Sequence, residues 1–337
     1  MRAVVIKQAK APAVIEERQR PSPGRGEVLI RVHACGVCHG DLMVQQGEFP
    51  FVRYPIVPGH EIAGTIEQAG EGVNWPEVGA RVGLSVIFST CGRCGHCLGG
   101  KENLCSEWKW TGVMLDGGYQ EFVLARADYV VPLPDALNFT EAAPLMCAGL
   151  TVYSGLRNAD FEPGDKVAVI GLGGLGHLAV LYARAMGARV AVLSASAGKQ
   201  AEALQLGAEK FTNSQQEAAG ETLRAWEGGA DIILATAPSL ESMTAAFPGL
   251  APDGTMVVLG VGPGVIAVNP LDLVMGRRRL MGSPAGSRRD LRDALAFAAA
   301  HGIRPKSKLL PLERAGEALA EMQAGHMSGR AVLVPNR

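Results

Sequence analysis

The stretch "KVAVIGLGGLGHLAVLYARAMGA", residues 166–188, leaves few folds open to this chain. "KVAVIG" is a continuous apolar run of the kind that forms a buried strand. Gly171, Gly173 and Gly176 then follow in the spacing GxGxxG, and apolar residues at helical spacing run on to a stop signal at Gly187. Each glycine has a separate physical use: a tight turn, a backbone that can approach a pyrophosphate, and close helix–strand packing. The helix N-terminus behind them attracts an anion. The segment from Gly171 to Gly176, Gly174 and Leu175 included, is therefore a candidate dinucleotide cradle. The alternation continues through "RVAVLSAS", "GKQAEALQLGA", "ADIILATA", "LESMTAAFPGL" and "GTMVVLGV". Buried strands alternating with helices predict an α/β domain with a parallel sheet.

The end of the second strand selects the cofactor. An NAD site usually places an acid there for the ribose 2′-OH. This chain has "LSASAGKQ", with Ser194 at that position and Ser196 and Lys199 after it. Two hydroxyls and an ammonium suit a 2′-phosphate, which an acid would repel. NADP(H) is expected in preference to NAD(H).

The first ~145 residues have a different texture, with short strand signals such as "EVLIRVHACGV" and "EIAGTIEQAG" broken by Gly and Pro. Within them "CGRCGHCLGGKENLC" holds Cys91, Cys94, Cys97 and Cys105. Two overlapping CxxC pairs and a fourth cysteine suit a closed tetrahedral zinc of structural type. An iron–sulfur cluster is the other metal option, and a disulfide or scattered thiols the option without metal. Cys35, Cys38 and Cys147 remain, the first two forming a further CxxC that has a redox reading as well as a metal one.

With 337 residues and a net charge of −1, the chain has length for about two domains and no bias toward nucleic acid or anionic membranes. No run reaches the ~18 apolar residues of a membrane span. A cytoplasmic protein is expected, and seven cysteines there are better explained by metal than by disulfides.

The motifs "CGVCHGD", "PGHEIAGTIEQAG", "CGRCGHCLGGKENLC", "DGGYQEFVLARADYVVPLPD", "APLMCAGLTVYSGL" and "GLGGLGHLAV" together resemble the zinc-dependent medium-chain alcohol dehydrogenases, over essentially the whole chain. "CAGLTVYSGLR" leans toward the cinnamyl-alcohol-dehydrogenase-like branch, and the short connection from Cys105 to "DGGY" toward the bacterial alcohol dehydrogenases. The resemblance implies a β-rich GroES-like catalytic domain, residues 1–147 and 285–337, interrupted by a Rossmann-type cofactor domain, residues 148–284. It implies two zinc ions per chain. Cys38, His60 and Cys147 would hold the catalytic one, with Glu61 able to join or leave, and the four-cysteine loop would hold the other. Asp41 would orient the His60 ring, and Cys35 would be a core thiol. His39 and Arg330 match cofactor phosphate contacts, Thr151 packs by the nicotinamide, and the backbone ending at Val261 meets the carboxamide. By position, Phe49, Val86, Phe88 and Trp110 would line the substrate pocket.

The family usually carries Ser or Thr two residues after the first zinc ligand and a histidine three residues later, to relay the substrate proton. Here these positions are Gly40 and Met43. Water filling the space at Gly40 is the expected substitute. The implied function is NADP(H)-dependent oxidation or reduction of a primary alcohol/aldehyde, medium-chain or aromatic. A polyol or sugar dehydrogenase is the alternative within the superfamily, and a non-catalytic redox sensor the alternative outside it. A homotetramer is expected, with a homodimer as the second possibility.

Overall fold

The computed structural model describes residues 1–335. The last two residues of the expected catalytic segment lie outside them. By contact the chain divides into two units, Met1–Leu150 with the residues from Gly286 on, and Thr151–Ala285.

The first unit is built on a seven-stranded sheet. Its central strand, Glu27–Gly36, pairs antiparallel with Glu61–Ala69 on one side and with Phe122–Arg126. Alternation along these strands sends Val28, Ile30 and Val32 into the same core as Ile62, Ile66, Leu84 and Tyr119. The last strand, Arg330–Val334, joins the Gly36 end of the central strand, with Leu333 opposite Cys35. That register sets Arg330, His60 and Cys38 on segments that meet at one end of the sheet.

The second unit has six parallel strands. Counted along the chain within this unit, they lie in the order 3-2-1-4-5-6, the arrangement of doubly wound dinucleotide-binding sheets. Lys166–Ile170 is central and ends at the glycine turn, and the helix Gly176–Ala185 follows. Gly171 adopts φ 89°, where a side chain is strained. A Cβ on Gly176 would stand 1.9 Å from the Gly171 carbonyl, so only glycine lets the helix start there. At Gly173 nothing lies within 4 Å of a built Cβ, which leaves that face open to a ligand. The tight turn and the close helix–strand packing expected of the motif are thus present. No helix among the described residues is long and apolar enough to cross a membrane.

Candidate active site

Three separate loops of the first unit converge. Cys38 precedes the helix His39–Gln46, and Asp41 in the first turn accepts the Cys38 N–H at 2.9 Å. His60 and Glu61 open the strand Glu61–Ala69, behind Gly59 at φ 100°. Cys147 lies between the short turn Ala143–Met146 and the helix Ala148–Asn158. One ligand atom from each of Cys38, His60, Glu61 and Cys147 lies within 4.8 Å of all the others. Two sulfurs bound at ~2.3 Å to one tetrahedral zinc stand about 3.8 Å apart. Cys38 Sγ and Cys147 Sγ are 3.8 Å apart, whereas a disulfide would need ~2.05 Å.

The electrostatics favour a cation. The Cys147 thiol beside it, and then the His60 ring, hold the Cys38 sulfur well below the usual thiol range despite burial. The same contact with Cys38, followed by burial, pushes Cys147 well above that range. The two sulfurs stand within hydrogen-bonding reach of each other, and a dication would displace a proton from between them. Burial opposes charge on His60, but Asp41 and Cys38 draw the ring toward its protonated form. Burial pushes Glu61 up to about 8 against the pull of Arg330. Arg330 bonds one carboxylate oxygen of Glu61, while Glu61 Oε2 is buried without a partner. A pair of thiols, an imidazole and an orphaned carboxylate oxygen form a donor set that fits zinc.

Asp41 is fully buried, and its Oδ1 stands 3.1 Å from His60 Nδ1. This fixes Nδ1 as the proton-bearing nitrogen and frees Nε2 for a metal. Tyr119 also bonds Asp41, its hydroxyl 3.0 Å from Oδ2. Sequence reasoning passed over Tyr119, which carries no spacing signal of its own. Cys35 is fully buried in the core of this unit, its sulfur packed beside Gly59.

The second cluster is local. Cys91, Cys94, Cys97 and Cys105 place their sulfurs within 4.8 Å of one another, with Cys91 and Cys97 3.8 Å apart. The backbone N–H groups of Arg93 and Cys94 hold the Cys91 thiol down to about 6. Four sulfurs and no other donor suit a closed site. His96 in this loop is exposed.

Gly40 presses on the imidazole: a Cβ built there would be 3.1 Å from His60 Cε1. The space expected for water at Gly40 is therefore partly filled by the ring, because the helix turn after Cys38 carries Gly40 over it. Phe49 and Trp110 meet edge to face at 5.8 Å. Phe51 and Trp108, which the sequence reading omitted, complete the group. Trp108 stacks on Trp110 at 4.2 Å and Phe51 meets Trp110 at 5.2 Å. Val86 is half-buried and its carbonyl accepts the Thr111 N–H beside Trp110. Phe88 does not join this group. Ile87 is the strand partner of Trp110, and the register shifts between Ile87 and Ser89, so Phe88 sits at a bulge outside the regular pairing. There it lines a separate cavity of about 520 Å³ with Met1, Arg18, Leu115 and Asp116.

These features match known proteins. Residues 24–135 match the family model for the alcohol dehydrogenase GroES-like domain, and residues 174–300 that for zinc-binding dehydrogenases. An alcohol dehydrogenase of Geobacillus stearothermophilus is 40% identical over 334 residues, covering 99% of each chain. This chain belongs to the zinc-dependent medium-chain alcohol dehydrogenase family. Among solved structures, the cinnamyl alcohol dehydrogenase SbCAD4 from Sorghum bicolor superposes with TM-score 0.92 at 32% identity, covering 99% of this chain and 97% of that one. A Helicobacter pylori CAD complexed with NADP(H) superposes with TM-score 0.88 at 27% identity, covering 99% and 97%.

In the second unit, Ser194 is buried and its hydroxyl accepts the Ser196 N–H at 3.2 Å, closing the turn after the second strand. The Lys199 ammonium lies 2.7 Å from Glu202 Oε2, so its charge at the strand end is already paired. Glu202 was missed because it reads as an ordinary helical acid in "GKQAEALQ". Thr151 is buried in its helix, whereas Val261 lies beyond a strand end and is exposed. His39 is exposed at the helix start. Arg330, matched to a phosphate contact, is committed to Glu61 through one amino group, and its Nε is buried without a partner.

Proposed function

We propose that this alcohol dehydrogenase carries hydride between NADP(H) and a primary alcohol or aldehyde of medium-chain or aromatic type. One zinc is held by Cys38, His60 and Cys147, with Glu61 as an occasional fourth ligand. A second, structural zinc is held by Cys91, Cys94, Cys97 and Cys105. Bound at the first site, zinc supplies Lewis acidity toward the substrate oxygen, and NADPH supplies the hydride. The residues do the rest. Asp41 holds the His60 tautomer. Arg330 keeps Glu61 oriented with one oxygen free. The rings of Phe49, Phe51, Trp108 and Trp110 offer an apolar wall suited to a flat or chain-like substrate. Gly171, Gly173 and Gly176, with Gly174 and Leu175 between, cradle the pyrophosphate. Ser194, Ser196 and, on release from Glu202, Lys199 take the 2′-phosphate. The observation that carries this reading is the convergence of two sulfurs, an imidazole and a carboxylate oxygen within 4.8 Å.

The chain is also proposed to assemble as a homotetramer. The helix Pro270–Gly276, which precedes the edge strand Arg279–Gly282, exposes Leu271, Val274 and Met275, each more than 60% accessible. A symmetric tetramer needs a second patch, and Leu98 and Leu104 expose apolar surface in the four-cysteine lobe.

Oxidation of NADPH and of NADH with aliphatic aldehydes, aromatic aldehydes and keto-sugars, before and after chelation, tests the function. Aldehyde turnover should vanish on chelation and return with zinc. NADPH should be favoured by roughly tenfold, the scale of one or two charge-assisted hydrogen bonds. Turnover confined to keto-sugars, or turnover that survives chelation, overturns the proposal.

A further inference from the structure

We propose that Tyr119 is a positioning residue for the metal-binding imidazole of His60, acting through Asp41. The inference rests on the reading that His60 holds a zinc.

Two handles support it. The first is the hydroxyl. Asp41 accepts four hydrogen bonds in a fully buried site. Oδ1 takes the Gly59 N–H at 3.0 Å and His60 Nδ1 at 3.1 Å, and Oδ2 takes the Cys38 N–H at 2.9 Å and the Tyr119 hydroxyl at 3.0 Å. Tyr119 and His60 are the two side-chain donors, one on each oxygen. Together they fix the plane of the carboxylate and hence the direction of His60 Nε2. The second handle is the ring. A Cβ on Gly59 would meet Tyr119 Cδ1 at 2.4 Å, so the phenol ring packs directly on the backbone that precedes His60. The Tyr119 N–H donates to the Pro58 carbonyl at 3.0 Å, tying the same turn from its other side. Tyr119 therefore fixes both the main chain that presents His60 and the carboxylate that aims its ring. Partners of this kind typically change metal affinity by about 10–100-fold.

The test follows metal rather than turnover. Wild-type enzyme is unfolded slowly in the presence of a chromogenic chelator, and the phase abolished by Cys147→Ser is assigned to the three-loop site. Tyr119→Phe removes one oxygen and keeps the ring. It should speed that phase about tenfold or more and leave the four-cysteine phase unchanged. In cobalt-substituted enzyme it should shift the visible bands of the three-loop site, with the thermal midpoint nearly unmoved. Asp41→Asn should alter the same bands, and it serves as the test if Tyr119→Phe does not fold. Wild-type enzyme with no phase that depends on Cys147 overturns the zinc reading itself. A normal wild-type phase with unchanged release and unchanged bands in Tyr119→Phe, or in Asp41→Asn, overturns the role of Tyr119 alone. Equal acceleration of both phases also overturns it, because the hydroxyl would then be acting on the fold at large.

Discussion

The two sulfur-rich centres of the first unit are built by opposite routes. In the four-cysteine loop all donors fall within 15 residues, and three of the four sulfurs belong to half-exposed residues. Its backbone makes tight turns whose N–H groups point at sulfur, such as Cys94 N–H at 3.3 Å from Cys91 Sγ. In the other centre the donors come from positions 38, 60, 61 and 147, and His60 and Glu61 are buried. There the surrounding protein sets the geometry, through Asp41, Tyr119 and Arg330. A local centre lends order to a loop with little core of its own, whereas a dispersed centre borrows order from the sheet that carries it. Loss of metal should therefore act on stability in the first case and on chemistry in the second.

The strongest way to break that contrast is to remove one ligand from each. Cys147→Ala should lower kcat/KM by at least about a thousandfold, with the thermal midpoint within a few degrees of wild type. Cys94→Ala should lower the midpoint by ~10 °C or more, because structural metal binding is folding free energy. Steady-state kinetics and calorimetry on both variants check this. If Cys94→Ala left the midpoint unchanged, or Cys147→Ala unfolded the chain, the division of labour would be wrong.

A smaller effect sharpens the claim that the dispersed centre is held by its surroundings. Arg330 and Glu61 form an ion pair with both side chains almost fully buried. Arg330→Met keeps most of the volume and leaves the carboxylate without its counter-charge. Burial already pushes Glu61 up to about 8, so without Arg330 the carboxyl takes a proton, and the cost should be about 1–3 kcal/mol, that of a lost buried hydrogen bond. By comparison, Arg314→Met cuts an exposed, solvent-screened pair with Glu317 and should cost much less. Urea unfolding of both variants gives the difference directly. Equal costs would mean that the pair does not organise the centre.

Legibility in the sequence followed the same division. The glycine turn and the four-cysteine loop are local patterns whose spacing carries their geometry, and the sequence alone exposed both. The scattered donors at 38, 60 and 147 were reached only through the resemblance of whole motifs, since no spacing links them. What neither route found depends on packing. Tyr119 faces Asp41 because Gly59 leaves room for its ring. Phe51 and Trp108 join Trp110 because two loops fold together. Phe88 lies apart from these rings because of the register shift between Ile87 and Ser89, a property of the pairing and not of the string. The close approach of Gly40 to the His60 ring was equally hidden.

The finest test asks how the local centre is tied to the rest of its unit. Glu102 lies between Cys97 and Cys105, and its Oε1 accepts the backbone N–H of Arg288 at 2.8 Å and the guanidinium Nε at 2.9 Å. Burial alone would raise the Glu102 carboxyl, but these two donors overcome it and hold the group below its usual range. A depressed carboxyl contributes stability that is complete above the unfolded-state value of about 4.3 and is lost as pH falls through the lower folded-state value. Glu102→Gln should therefore cost about 1–2 kcal/mol at pH 7, allowing for the partial exposure of Arg288. The gap between wild type and variant should narrow steadily below about pH 4. Taking the difference removes the acid sensitivity of the thiolates, which both proteins share. A gap that stayed constant from pH 7 to pH 3 would mean that Glu102 anchors the lobe by shape rather than by charge, and that the half-exposed sulfurs depend on packing as much as the buried centre does.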